Sequence, residues 1–153
     1  MRYTDAVLVV GDFPVARRAA ALEILSEVLR LEREVASVYL ALAARPGPAP
    51  LRSACGEIAA RTVERIPTIE ALAREAGLAA MPGVSPAPTA ASGPDGRGEL
   101  FGQVFERERA LETAYRDLAV LLGDPTRCPS LPTLLAEATR RRARLRDLYV
   151  RYS

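Results

Sequence analysis

Histidine and lysine are both absent from the 153 residues. Without imidazole the chain can build no Ser-His-Asp or Cys-His relay and offers no histidine ligand to a metal. Without lysine, all 21 basic residues are arginine, and 19 acidic residues nearly cancel them. The net charge of +2 lacks the one-sided field of a dedicated nucleic-acid binder, so no nucleic-acid partner is expected. Tryptophan is missing and aromatics make up only 5% of the chain, which leaves few of the β-branched and aromatic runs that strands need. The two cysteines, Cys55 and Cys128, are too far apart in sequence to form a Cys-x-x-Cys zinc site or a disulfide framework. The apolar run Ala6 to Val10 is too short to span a membrane, and Asp5 interrupts a basic signal-like start. A cytoplasmic protein without a membrane partner is expected.

Alanine, leucine, arginine and glutamate dominate instead, a helix-forming composition, and the length suits one domain over residues 1–153. Prolines and glycines divide it. Asp12 as N-cap and Pro14 in the first turn open a helix over about 14–45, closed by Pro46, Gly47, Pro48 and Pro50. A second helix over about 51–77 stops at Gly77, a residue type suited to a left-handed cap. Residues 78–98, LAAMPGVSPAPTAASGPDGRG, read as a linker with little to bury, and its proline-rich tract as a spacer rather than a recognition motif. A third helix covers about 99–122 and a fourth about 130–152, the latter with Ser130 as N-cap. Residues 1–13 remain an unassigned arm.

Short connections make neighbouring helices antiparallel, whereas the long linker can span the bundle from bottom to top. The expected fold is an all-α four-helix bundle running up, down, down, up, with helices two and three parallel. In that arrangement Cys55 and Cys128 lie at opposite ends, roughly 35 Å apart by the helix rise.

Charges on the apolar faces carry the functional reading. At about 100° per residue, helix one lines up Leu22, Leu25, Leu29, Ala36, Tyr39 and Ala43 with Glu32 in their midst. Helix three lines up Phe101, Val104, Leu111, Tyr115, Leu118 and Leu122 around Glu108, with Glu112 near the edge. Each central Glu precedes a Tyr by two helical turns on the same face, so the chain reads as a duplicated helical hairpin. A single charge on such a seam commonly reaches solvent; two matched ones point to a buried pair that needs positive partners. Helix two carries Thr62 and Arg65 ahead of Ile69 and Leu72, and helix four carries Ala138 and Arg141 ahead of Leu145 and Leu148. Glu32 is expected to pair with Arg65 and Glu108 with Arg141, with Tyr39 and Tyr115 in reach of the carboxylates. The alternative is that the arginines extend along their aliphatic stems to water.

These positions resemble the ferritin-like superfamily, and within it the rubrerythrin-type four-helix bundles with one long crossover. The resemblance covers about residues 14–152. It implies that Glu32 and Glu108 match the helix-one and helix-three metal ligands, and that Tyr39, Tyr115 and Glu112 are supporting residues around the centre. The family's Glu-x-x-His pairs would fall on Thr62 with Arg65 and on Ala138 with Arg141, so the di-metal site is degenerate. A competing alignment reads Glu64 to Pro67 and Glu137 to Arg140 as eroded Glu-x-x-His, but both glutamates lie off the apolar stripe. Pro67 also points outward, where it should kink helix two.

Two carboxylates around two guanidinium groups are formally neutral, as four carboxylates around two divalent cations are, so arginines can stand in for the metals. The expectation is a metal-free, cofactor-free, non-catalytic bundle acting as an interaction or structural protein, with no catalytic residues, assembled as a homodimer with an unidentified protein partner. One alternative is an oxidoreductase holding a hard metal through Glu32, Glu108 and Glu112. Another is a small-anion binding protein using Arg65, Arg141, Tyr39 and Tyr115. The run Thr139 to Arg146, TRRRARLR, reads as a solvated face.

Overall fold

The computed structural model describes residues 15–77, 96–123 and 126–153, and all of their regular structure is helical. Helix α1 spans Val15–Ala44, α2 Ala49–Glu64, α3 Ile66–Glu75, α4 Arg97–Leu122 and α5 Ser130–Tyr152. The expected arm, the Asp12 cap and linker residues 78–95 lie outside the described residues.

The second helix expected over 51–77 is two helices, and the reason is local. Pro67 has no N–H to give to an i−4 carbonyl, so the chain restarts its helix with Pro67 in the first turn of α3. Arg65 sits at the joint with φ −88° and ψ −8°, and its N–H reaches back only three residues to the Thr62 carbonyl at 3.2 Å. Pro67 itself is exposed, on the outward side that its phase indicated.

Hydrogen bonds at the helix ends give the chain directions. Arg97, at the start of α4, donates to the Tyr152 carbonyl at 3.0 Å and to the Pro46 carbonyl at 3.4 Å, which gathers the beginning of α4 with the ends of α1 and α5. At that end Arg52 of α2 also reaches the Ala43 carbonyl of α1, at 3.4 Å. At the opposite end, Ser130 donates from its backbone N–H (3.0 Å) and hydroxyl (2.6 Å) to the Glu75 carboxylate at the tip of α3. The α2–α3 arm and α4 therefore run in the same direction. Ser130 is the first residue of α5 rather than its N-cap, and the carboxylate that satisfies this helix start comes from another helix.

The residues that share one stripe on each helix meet in one core. Leu25, Leu42, Phe101, Leu111, Leu118 and Leu145 are fully enclosed, and α1 packs against both α2 and α4. Gly77 and Gly123 close α3 and α4 with φ of 70° and 71°, a backbone that a Cβ would strain. No described helix is long and apolar enough to cross a membrane.

Cys55 lies near the start of α2 and Cys128 just before α5, at opposite ends, and both are buried. Burial pushes the Cys55 thiol up to about 11, so little thiolate exists at neutral pH. Both thiols should react slowly with an aromatic disulfide reagent in native protein and fully in denaturant. An intrachain Cys55–Cys128 disulfide, detected by non-reducing mass analysis, would contradict these chain directions.

Candidate functional site

Four helices each bring one polar side chain to the bundle centre. Glu32 comes from α1, Thr62 from α2, Glu108 from α4 and Arg141 from α5, and none is more than 5% exposed. Helical spacing explains the placement: each replaces an apolar residue in the middle of its own buried stripe.

Arg141 organises the group. Its Nε and Nη2 donate to the two oxygens of Glu108 at 2.6 and 2.8 Å, a bidentate pair. Nη1 donates to Glu32 Oε1 at 2.7 Å and lies 3.4 Å from the Thr62 hydroxyl, which in turn donates to the Ile58 carbonyl at 2.8 Å. The second Glu32 oxygen accepts from the Tyr115 hydroxyl at 2.7 Å. Burial opposes the Arg141 charge, but Glu32 and Glu108 outweigh it, and the guanidinium is held charged more firmly than in water. Burial holds the Glu108 carboxyl above its usual range, with Arg141 pulling the other way and Glu32 adding to the rise. Both Tyr39 and Tyr115 are pushed well up, chiefly by burial.

The expected pairing of Glu32 with Arg65 is therefore wrong: Arg141 takes both carboxylates. Arg65 lies at the helix joint, 19% exposed, and donates to Glu137 at 3.0 Å. Arg141 already supplies the donors that both central carboxylates accept, and Glu137 of α5 offers Arg65 a carboxylate outside the centre. Glu137, which lies off the apolar stripe, is 18% exposed; it accepts hydrogen bonds from Arg65 and Arg140 at 3.0 and 3.4 Å and forms an ion pair with Arg61 at 3.8 Å. The signal for that cluster was present in the i,i+4 spacing of Arg61 and Arg65 and the i,i+3 spacing of Glu137 and Arg140.

The tyrosines also divide. Tyr115 bonds to Glu32, whereas the buried Tyr39 hydroxyl has no hydrogen-bond partner among the described residues. Glu112 is a surface residue, 46% exposed, 3.7 Å from both Arg116 and Arg142, and takes no part in the centre. Ala138 is buried one turn before Arg141.

The two metal ions implied by the resemblance do not fit these residues. A guanidinium lies between the carboxylates that would have to bridge or hold them, and every oxygen of Glu32 and Glu108 already accepts a hydrogen bond. Among the described residues, no group of three or more His, Cys, Asp or Glu side chains is placed to hold a metal. Compared with known proteins, the chain matches no family model, no curated protein and no solved structure.

With both glutamates ionised the centre carries one excess negative charge, so its members are not equivalent. Arg141→Leu strands two carboxylates and should cost about 3 to 5 kcal/mol in urea denaturation. Glu108→Gln leaves a one-to-one Glu32–Arg141 pair and should cost much less. The triple change Glu32→Leu, Glu108→Leu, Arg141→Met should recover most of the loss. Equal losses for Arg141→Leu and Glu108→Gln would refute this account.

The tyrosines give a second contrast. Tyr115→Phe removes a hydrogen bond to a carboxylate and should destabilise by about 1.5 to 3 kcal/mol. Tyr39→Phe removes only an unpartnered hydroxyl and should leave the melting temperature unchanged or raise it.

Proposed function

We propose that the chain is a ferritin-like bundle of rubrerythrin-type layout whose di-metal centre has given way to an ion-pair centre. It works as a non-catalytic interaction or structural protein and pairs as a homodimer. The observation that carries this reading is the Arg141 guanidinium between Glu32 and Glu108. A permanently charged group in that position repels divalent cations and uses up the lone pairs they need. The matched Glu-to-Tyr spacing on α1 and α4 and the shared direction of the α2–α3 arm and α4 support the same layout.

What remains for function is the scaffold. The ion pairs join α1, α4 and α5 through groups that satisfy one another only in one register, a use for which buried polar groups are suited. Its role is to hold outer surfaces in fixed relation, and sedimentation equilibrium reads whether a second copy is held.

The deciding test is metal analysis of protein purified from cells grown with iron and manganese, together with iron(II) oxidation assays. Substoichiometric metal and no acceleration of oxidation are expected. Stoichiometric iron or manganese that disappears in a Glu32→Ala, Glu108→Ala variant would overturn the proposal and favour the carboxylate-only oxidoreductase.

A further inference from the structure

A cleft of about 380 Å³ opens between α2 and α5, outside the buried centre, with Ile58 and Ala143 among its walls. Its charged lining is unbalanced at one end. There the guanidinium groups of Arg61, Arg65 and Arg140 all lie within 4 Å of a single carboxylate, Glu137. One carboxylate neutralises one guanidinium, so these four side chains sum to two positive charges. The other end is balanced differently: Arg144 is paired with Glu57 at 2.7 Å, and Asp147 lies about 15 Å along the α5 axis from Glu137. Behind the cleft floor Arg141 is outnumbered by Glu32 and Glu108, so the centre adds one negative charge of its own, and Glu32 acts on Arg65 as well.

The unbalanced end has the donors for an oxyanion. Arg61 and Arg140 line the cleft and are 57% and 68% exposed, so their guanidinium groups are open to a ligand from solvent. Arg65 is mostly enclosed, and burial lowers its pKa although Glu137 works against that. A phosphomonoester carries a charge of about −1.5 to −2 at neutral pH and three acceptor oxygens, one for each of the three guanidinium groups, where a monocarboxylate has two. The volume exceeds that of phosphate alone and falls in the range of small-molecule sites.

We propose that this cleft binds a small phosphomonoester, with the phosphoryl group seated among Arg61, Arg65 and Arg140 and the organic part lying toward Ile58 and Ala143. The site stands on the cleft and its charges alone and holds whether or not the bundle is ferritin-like. Three arginines of the TRRRARLR run, Arg140, Arg141 and Arg144, line this cleft.

Calorimetric titration of the full chain with phenyl phosphate tests the proposal, with inorganic phosphate and a short DNA duplex as parallel probes. Saturable binding of one phenyl phosphate per chain is expected, tighter than inorganic phosphate and weakened by salt. Arg61→Ala and Arg140→Ala alter exposed side chains, leave the fold intact and should each weaken binding about tenfold or more. Arg109→Ala, an exposed arginine on α4, should change nothing. Glu137→Gln removes the competing carboxylate and should tighten binding, a change that a purely structural role for these residues would not produce. Absence of saturable binding, an equal loss in Arg109→Ala, or a duplex that binds more tightly and displaces phenyl phosphate would each overturn it.

Discussion

One buried guanidinium sets the terms for the rest of the molecule. Arg141 is the sole cation within hydrogen-bonding distance of Glu32 and Glu108 among the described residues, and it reaches α1 and α4 from α5 while touching Thr62 of α2. Removing two carboxylates from water is costly, and the arrangement is tolerable only because every carboxylate oxygen has a donor and four of the five guanidinium hydrogens can be directed at acceptors. Such a network adds little net stability compared with apolar packing, but it strongly penalises any other alignment of the helices. Sliding one helix by a turn would leave a charge without its partner in the core.

The apolar framework of this arrangement was legible in the sequence because each helix keeps an unbroken stripe. Every residue placed on the α1, α2–α3 and α4 stripes is buried or nearly so, and the starts and stops near Ala44, Gly77, Leu122 and Ser130 follow proline and glycine. Glu32, Thr62, Glu108 and Arg141 could be found for the same reason, since a polar residue centred on an apolar stripe has nowhere to go but inward. The position of Arg65 is not legible in this way, because a helical wheel gives the face a residue sits on and not which of two nearby carboxylates its long side chain takes, and Glu137 lies within its reach. Glu137 is hidden from a phase argument because phase describes where a Cα points, whereas a glutamate at a seam can turn toward three long arginines around it.

The repeated Glu-to-Tyr spacing is informative and also misleading. Glu32 and Tyr39 match Glu108 and Tyr115 in spacing, yet the match suggests two equivalent pairs where there is one shared cation. The break falls on the first hairpin. Its arginine sits at a helix joint and serves the cleft, and its tyrosine hydroxyl is left unpartnered, while the second hairpin contributes Glu108, Tyr115 and Arg141. The second half thus contains a closed ion pair of its own, whereas Glu32 depends on residues from the other half.

The joint at Arg65 bears on where the bundle yields. Ten residues of α3 are too few to stay helical by themselves, since isolated helices shorter than about 12 to 15 residues are marginal in water. The segment persists through Ile66, Ile69, Leu72 and Ala73 in the core and through the Glu75 link to Ser130. No backbone ladder carries strain smoothly across Arg65, so α3 can detach as a cooperative unit while Thr62 and the centre stay in place. In native-state hydrogen exchange its amides would open at lower free energy than those of α2, the earlier part of the same arm, and the Arg65 wall of the cleft would open with them.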